Sequence, residues 1–156
     1  MNIRRAEEKD IDTLLTLLSE VLELHAEIRP DIFIPGKTKY TSEQLKAMLK
    51  DDAKPIFVAE DESGTVLGYA FCAIREQPFR THMRSFRTLF IDDLCVARAS
   101  RGAHVGSSLF GYVKAYAKEI GCYDVTLNVW EGNDGARAFY EKMGMFPKET
   151  QMEIIL

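Results

Sequence analysis

Residues 98–109 read RASRGAHVGSSL and join an apolar run to a helical pattern. Gly102 and Gly106 remove side chains from this turn, while Arg101 adds a guanidinium whose donors match phosphate geometry. A helix N-terminus carries roughly half a positive charge, and its first N–H groups lack helical partners. The stretch therefore predicts a strand, a tight turn and a helix that together bind an anion, with an ordinary strand-to-helix turn as the alternative.

Hydrophobic periodicity predicts the strands and helices around this turn. Apolar side chains at helical spacing indicate helices at 10–24, 105–120 and 133–143, and a further helix capped by Thr41 or Ser42. Short apolar runs indicate strands at 2–5, 56–60, 66–74, 88–96 and 123–129, with a closing strand within 146–156. The order β-α-α-β-β-β-α-β-α-β predicts an α/β fold of one domain, residues 1–156, whose mixed, mostly antiparallel sheet carries helices on both faces.

Composition argues against several classes of partner. The 156 residues carry 20 Lys and Arg against 24 Asp and Glu, a net charge of −4, so we expect no nucleic-acid partner. The sequence has no apolar signal region and no stretch long enough to span a bilayer, so we expect a cytoplasmic protein without a membrane partner. No metal is expected, because neither the three cysteines nor the three histidines have ligand spacing.

Two motifs in the C-terminal half, at 93–106 and 133–144, carry a resemblance. Asp93-Leu94-Cys95-Val96 fits a strand ending in D-L-x-V, and Arg101 and Gly106 fit [RQ]-x-x-G-x-[GA] at the start of a helix. Downstream, an N-x-x-A-x-x-F-Y-x-x-x-G-F block is matched at Asn133, Ala136, Phe139, Tyr140 and Gly144. With these motifs the chain resembles the GNAT superfamily of acetyl-CoA-dependent N-acetyltransferases. It departs from the pattern at His104, which stands where the family has its middle glycine.

The resemblance implies a binding site for acetyl-CoA. The main chain of Leu94, Cys95 and Val96 would face the pantetheine arm and the acetyl carbonyl, and Asn128 and Asn133 would bond the pantetheine amides. The diphosphate would lie on Arg101, Gly102, Ala103, His104, Val105, Gly106 and Ser107, and the helix carrying Ala136, Phe139 and Tyr140 would complete the site. The imidazole of His104 either points away from the diphosphate or donates to it.

Acetyl transfer to an amine also requires proton transfer. Tyr140 is the candidate general acid, because a phenol near pKa 10 suits a thiolate leaving group. Asp93 is the first candidate for the base, with Asp92 and Glu131 as alternatives, or with no dedicated base. Since adjacent strand residues face opposite sides of a sheet, only one of the two aspartates is expected to face the reaction site.

Charge near the expected acceptor site gives two conflicting indications. The segment 23–31, which includes the candidate acceptor residues His25, Glu27 and Asp31, is acidic through Glu23, Glu27 and Asp31, which suits a cationic amine. The irregular segment 75–87 is basic, which suits an anionic acceptor or the cofactor. The sequence therefore leaves the acceptor open among primary amines of small molecules, peptides and proteins.

The predicted function is direct transfer of an acetyl group from acetyl-CoA to a primary amine. The alternative is an inactive CoA-binding or protein-interaction module on the same fold, for which His104 is the main support. A Rossmann-type nucleotide site is disfavoured, because residues 5–10 lack glycine after the first strand. Apolar positions near the C-terminal strand also predict pairing with a second copy, giving a homodimer.

Overall fold

The protein is described by a computed structural model that places residues 1–76 and 81–156. Residues 77–80, within the predicted basic segment, lie outside this description. The strands are β1 (Asn2–Arg5), β2 (Ile56–Glu60), β3 (Val66–Glu76), β4 (Arg87–Val96) and β5 (Asp124–Leu127). The helices are α1 (Ile11–Ile28), α2 (Ser42–Met48), α3 (Val105–Glu119) and α4 (Asp134–Lys142).

The strands form one sheet in the order β1-β2-β3-β4-β5. Neighbouring strands are antiparallel, except that β4 and β5 run parallel with α3 as the crossover between them. One face packs its apolar side chains against α1 and α2, and the other packs against α3 with α4 beside it. The predicted fold class, a mostly antiparallel mixed sheet with helices on both faces, is therefore confirmed.

The helix boundaries follow from capping and amphipathicity. Thr41 caps α2 by accepting from the Gln44 N–H at 3.2 Å, while the Gln44 side chain accepts from the Thr41 N–H at 2.8 Å. Helix α1 extends to Ile28, one turn beyond the predicted end, because Ala26 continues its buried stripe. Within the described residues, no helix has the length and apolar character needed to cross a membrane.

The C-terminal segment differs from its prediction. Residues 146–156 are all described, and none of them forms a strand. Two ion pairs hold the segment to the domain, Lys148–Asp124 at 2.8 Å and Arg29–Glu153 at 2.6 Å. A strand needs a hydrogen-bonded neighbour, and an alternating apolar pattern alone does not supply one. The segment therefore leaves the outer edge of β5 unpaired within the described chain.

Candidate active site

A β-bulge interrupts β4 at its centre. Asp93 pairs with Phe71 and Ile91 pairs with Cys72, so Asp92 has no partner on β3. The Asp92 carboxylate accepts from the Tyr40 hydroxyl at 2.9 Å, and Asp93 accepts from the Tyr69 hydroxyl at 3.0 Å.

Both aspartates therefore face the side of the sheet covered by α1 and α2, because Tyr40 and Tyr69 belong to that apolar cluster. The expectation that only one of them faces the site is wrong, since the extra residue in β4 breaks the alternation on which it rested.

The environment of Asp93 raises the pKa of its carboxyl group above the ordinary value for an aspartate. Burial raises the pKa of Asp93 to about 6, although the charge of Lys39 and the hydrogen bond from Tyr69 act in the opposite direction. In the described part of the chain, Asp93 forms no ion pair, whereas Asp92 is bound by the Lys39 ammonium at 2.7 Å. Asp93 is therefore a carboxylate that exchanges a proton near neutral pH.

A slot opens between β4 and β5 directly beside the bulge. In the described part of the chain, the two strands pair from Thr88–Asp124 to Ile91–Leu127, and the remainder of β4, Asp92–Val96, has no neighbour there on the β5 side. In an antiparallel strand, alternate residues direct their N–H and C=O groups away from the partner, here toward the slot. We call this opening the β4–β5 slot. Leu94, Cys95 and Val96 form its β4 wall, and Asn128 follows the end of β5 on the opposite wall.

The Gly-rich turn lies at the end of this slot and forms the start of α3. Gly102 has φ 81° and His104 has φ 61°, so the chain is left-handed twice before Val105 opens the helix. Within the described residues, the N–H groups of Gly102, Ala103 and His104 donate to no backbone acceptor. Together with the first N–H groups of α3, they make a concave set of donors at the positive end of the helix.

His104 occupies a conformation that favours glycine, which explains the family preference at this position. Its side chain is exposed and makes no capping hydrogen bond. The Arg101 Nε donates to the Val96 carbonyl oxygen at 3.3 Å, and the Ser107 hydroxyl donates to the His104 carbonyl oxygen at 2.9 Å. These two hydrogen bonds therefore stabilise the turn, one from Arg101 to the end of β4 and one from Ser107 to the residue before α3.

Gly106 brings α3, α4 and β4 close together. A Cβ at this position would lie 3.4 Å from the Phe139 ring and 3.4 Å from the Val96 side chain. Asn133 caps α4 by accepting from the Ala136 N–H at 3.2 Å, so one of its amide oxygen's hydrogen bonds is already used. The motif at 133–144 thus positions α4 beside the open end of the β4–β5 slot.

Tyr140 lies on α4, with its ring against Phe110 and Phe139 at centroid distances of 6.1 and 5.1 Å. Its hydroxyl has no hydrogen-bond partner among the residues that the structure describes. Burial raises the pKa of Tyr140, and the charge of Asp93 raises it further. The phenol therefore keeps its proton at neutral pH and is free to donate it.

Two of the three predicted acceptor residues, His25 and Glu27, lie at the C-terminal end of α1, and Asp31 lies in the turn that follows. The His25 ring contacts Phe33 in a tilted arrangement at 5.1 Å, and Phe33 contacts Trp130 edge-on at 5.4 Å, so this end of the helix reaches the residues that follow β5. Burial lowers the pKa of His25, which keeps its imidazole neutral. The Asp31 carboxylate is bound by Arg29 at 2.7 Å, and Glu27 is exposed.

The sequence did not indicate three residues that surround the two aspartates. It did suggest Glu131 as an alternative base, and the structure gives that residue a different partner. Tyr69, Lys39 and Tyr40 surround the aspartates, but only the strand register and the course of the α1–α2 loop reveal this. Glu131 is 89% exposed and its carboxylate pairs with Arg137 at 2.8 Å. The described residues contain no cluster of three groups suited to a metal ion.

The family profile described as "Acetyltransferase (GNAT) family" matches residues 18–145. The chain belongs to this family. A GNAT domain makes the protein an acyltransferase, and GNAT acetyltransferases use acetyl-CoA. The bulge, the β4–β5 slot and the Gly-rich turn all lie within the matched range.

Relatives and solved structures agree with this assignment. The chain is 27% identical to the uncharacterized N-acetyltransferase YhfO of Bacillus subtilis (strain 168), over 92% of this chain and 89% of the relative. It is 28% identical to the glucosamine 6-phosphate N-acetyltransferase of Arabidopsis thaliana, over 65% of this chain and 64% of that enzyme. The X-ray structure of a tetramutant of the BH1408 protein from Bacillus halodurans is similar over 100% of this chain and 100% of that one, with a TM-score of 0.95 and 28% identity.

Proposed function

We propose that this GNAT enzyme transfers an acetyl group from acetyl-CoA to a primary amine of a small molecule, a peptide or a protein, by direct attack of the amine. One observation carries the proposal. A proton acceptor, Asp93, and a protonated donor, Tyr140, are near enough for the charge of the first to raise the pKa of the second. Both lie beside a stretch of β4 whose backbone has no neighbour on one side.

The residues present fit acetyl-CoA. The β4–β5 slot offers extended backbone along Leu94, Cys95 and Val96, which suits the amides of a pantetheine arm. At the end of the slot, the N–H groups of Gly102, Ala103 and His104 donate to no backbone acceptor in the described chain, and with the start of α3 they suit a diphosphate. Asn128 and Asn133 stand at the opposite wall as further donors, with Ala136 and Phe139 as apolar contacts.

Each residue then has a defined task. Bound acetyl-CoA supplies a thioester carbon open to attack. A main-chain N–H from Leu94 to Val96 stabilises the charge that develops on the carbonyl oxygen, as in other acyl transfers. Asp93 takes one proton from the substrate ammonium, directly or through one water, and Tyr140 gives its proton to the leaving sulfur. The second proton that the nitrogen loses as the amide forms restores the Tyr140 phenol.

The alternative is a module that binds CoA without catalysis. The strained His104 in the turn favours it, because an exposed imidazole stands where the resemblance implies close approach of a diphosphate. The enzyme is favoured by the Tyr140 phenol, which has no hydrogen-bond partner in the described chain, and by the Asp93 carboxylate, which has no ion pair there, since a binding module has no use for either group.

Release of thiol from acetyl-CoA with a panel of primary amines tests the proposal. The wild type should turn over at least one amine, and Tyr140→Phe should be slower by about 10²-fold or more. Tyr123→Phe is the matched control, because Tyr123 is 77% exposed and precedes β5, whereas Asn128 of the slot follows the other end of that strand. Tight CoA binding without turnover of any amine, with Tyr140→Phe and wild type alike, would establish the module instead.

The diphosphate site can be tested separately from turnover. Arg101→Ala should weaken the binding of CoA measured by calorimetry and leave the binding of pantetheine, which lacks the diphosphate, unchanged. An equal effect on both ligands would place the diphosphate away from residues 101–107.

The homodimer is a second part of the proposal. The outer edge of β5 is unpaired in the described chain, and the nearby segment 146–156 exposes Met152, Ile154, Ile155 and Leu156. The occupant that fits both features is the same segment of a second copy, paired along β5. Light scattering should give two chains per particle for the wild type and one for Ile154→Lys. A wild type that stays monomeric at every concentration tested would exclude this dimer.

A further inference from the structure

A recess lies on the side of the bulge away from the slot end of β4. Its volume is about 220 Å³, and its walls are Tyr40, Met48, Lys54, Phe71, Cys72, Ala73, Arg75 and Asp92. Asp92 belongs to both the recess and the bulge, so the recess opens next to the proposed base, Asp93. Its walls are therefore placed to contact whatever molecule brings an amine to that carboxylate.

The strand register places two cations of the recess on one face of the sheet. The Cys72 N–H donates to Pro55 and the Ile74 N–H donates to Ala53, at 2.9 and 2.8 Å, so Lys54 lies opposite Ala73. Arg75 returns to the same face two residues after Ala73. Diagonal neighbours of this kind are about 7–8 Å apart, and the small side chain of Ala73 leaves space between them.

Neither cation is neutralised within the described residues. Lys54 and Arg75 form no ion pair there, and the Arg75 guanidinium lies 3.4 Å from the centre of the Phe90 ring, which fixes its position. The acidic side chain in the wall is Asp92, and it is already bound by Lys39 and Tyr40. The recess therefore presents uncompensated positive charge at the end remote from Asp92.

From this arrangement, and resting on the proposed function, we propose that the acceptor is a small primary amine that carries an anionic group, and that Lys54 and Arg75 bind that group. Asp92 stands level with Phe71 and Cys72, whereas Ala73 and Arg75 lie farther along β3. Asp93, the proposed base, pairs with Phe71, so at about 3.3 Å per residue the anion would sit roughly 7–13 Å from the reacting nitrogen. A polyamine would instead bring its second ammonium against two cations.

A set of matched six-carbon amines isolates the charge at the far end of the acceptor. The probes are 6-aminohexanoate, 6-aminohexyl phosphate, 6-amino-1-hexanol and 1,6-diaminohexane, which differ only in carrying a carboxylate, a phosphate, a hydroxyl or a second ammonium. The wild type should prefer the anionic probes over the alcohol by roughly 10- to 100-fold in kcat/KM, the worth of a hydrogen bond to a charged group. The two anionic probes then show whether carboxylate or phosphate is favoured.

Variants connect the preference to the recess. The double variant Lys54→Gln/Arg75→Gln should lose the preference while its kcat/KM for the alcohol stays unchanged, and Lys54→Glu/Arg75→Glu should favour the diamine. Lys114→Gln on α3 is the control for the loss of a surface lysine. A wild type that uses all four probes equally, or a double glutamine variant that keeps the preference, would overturn the proposal.

A binding experiment separates failure of the proposed acetyltransferase activity from failure of the proposed anion site. If no amine is acetylated, calorimetric binding of 6-aminohexyl phosphate to the wild type and to the double glutamine variant decides about the recess alone. Binding that disappears in the variant supports the anion site, and equal or absent binding in both rejects it.

Discussion

Asp10 and Asp93 both lie among apolar side chains, but their hydrogen-bond and charge partners differ. At the β1–α1 corner, Asp10 is 3% exposed and receives two hydrogen bonds from the Arg4 guanidinium, at 2.7 and 2.9 Å. The Glu7 N–H adds a third at 2.8 Å. At the β4 bulge, Asp93 receives a phenol hydrogen bond from Tyr69 and has no cation in contact among the described residues.

The pKa values of the two groups move in opposite directions. Burial alone would raise the pKa of Asp10, but the hydrogen bonds from Arg4 and Glu7 outweigh it and lower the pKa below its ordinary value. Burial raises the pKa of Asp93 to about 6, because a phenol and a distant ammonium compensate less. The partner, rather than the burial, decides whether a carboxylate stabilises the fold or exchanges protons.

The largest expected effect follows from removing the proton-accepting carboxylate. Asp93→Asn should lower kcat/KM by about 10²- to 10⁴-fold, the usual contribution of a general base. Its melting temperature should stay the same or rise, because a poorly compensated charge leaves the interior. Steady-state kinetics and thermal unfolding measure the two quantities, with Glu119→Gln on the exposed end of α3 as a control. Activity within threefold of wild type would remove Asp93 from the mechanism.

The same substitution at the corner should have the opposite outcome. Asp10→Asn removes the more buried of the two carboxylates that bind Arg4, leaving Glu60 at 2.7 Å as its remaining charge partner, and should lower the free energy of unfolding by roughly 2 kcal/mol. Activity per folded molecule should be retained. Asp52→Asn is the matched control, because the Arg5–Asp52 pair is 3.4 Å long with Asp52 101% exposed, and such pairs contribute less than about 1 kcal/mol. A stable Asp10→Asn protein with impaired turnover would reverse the assignment.

The pH dependence of stability should separate the two carboxylates. Between pH 4 and 6 the folded state keeps the Asp93 proton that the unfolded state has lost, so Asp93 makes the protein less stable as pH rises, by about 3 kcal/mol at most. The contribution of Asp10 is present above its unfolded pKa, near 4, and is lost as pH falls through its lowered pKa. Unfolding of wild type, Asp93→Asn and Asp10→Asn by denaturant at several pH values gives both differences. Parallel curves for the three proteins would contradict the contrast.

Sequence patterns placed the strands, turn and helices of the candidate site but not the contacts between them. The D-L-x-V run, the turn at 101–107 and the helix carrying Tyr140 could be placed because they are local patterns of strand, turn and helix. The bulge at Asp92 could not, since it depends on how β4 registers against β3. The contact of Tyr40 with Asp92 depends on the course of a loop, which propensities do not fix.

The closing strand predicted within 146–156 shows a second limit of prediction from sequence. The apolar pattern of 152–156 suits a strand, yet a strand forms only against a neighbour. Whether β5 of this chain or of a second copy provides that neighbour is a property of the assembly, which a single sequence does not encode locally.

The smallest expected effect tests whether Asp93 is the group that titrates. Tyr69 is 0% exposed, and its hydroxyl donates to Asp93 at 3.0 Å, which stabilises the carboxylate form. Tyr69→Phe removes that donor, so the pKa of Asp93 should rise further. The acidic limb of the kcat/KM profile should shift to higher pH by less than about one unit, since one hydrogen bond contributes about 1 kcal/mol net. Lys39 and Asp92, the other charged groups near Asp93, remain unchanged.

The plateau of the profile separates positioning from a merely structural role. Above the shifted limb, Tyr69→Phe should regain a rate close to that of the wild type, because Asp93 is again ionised and in place. Loss of packing alone would lower the melting temperature or the plateau without moving the limb. An unmoved limb in a well-folded Tyr69→Phe protein would mean that some other group controls the profile, and the contrast between Asp93 and Asp10 would then concern stability alone.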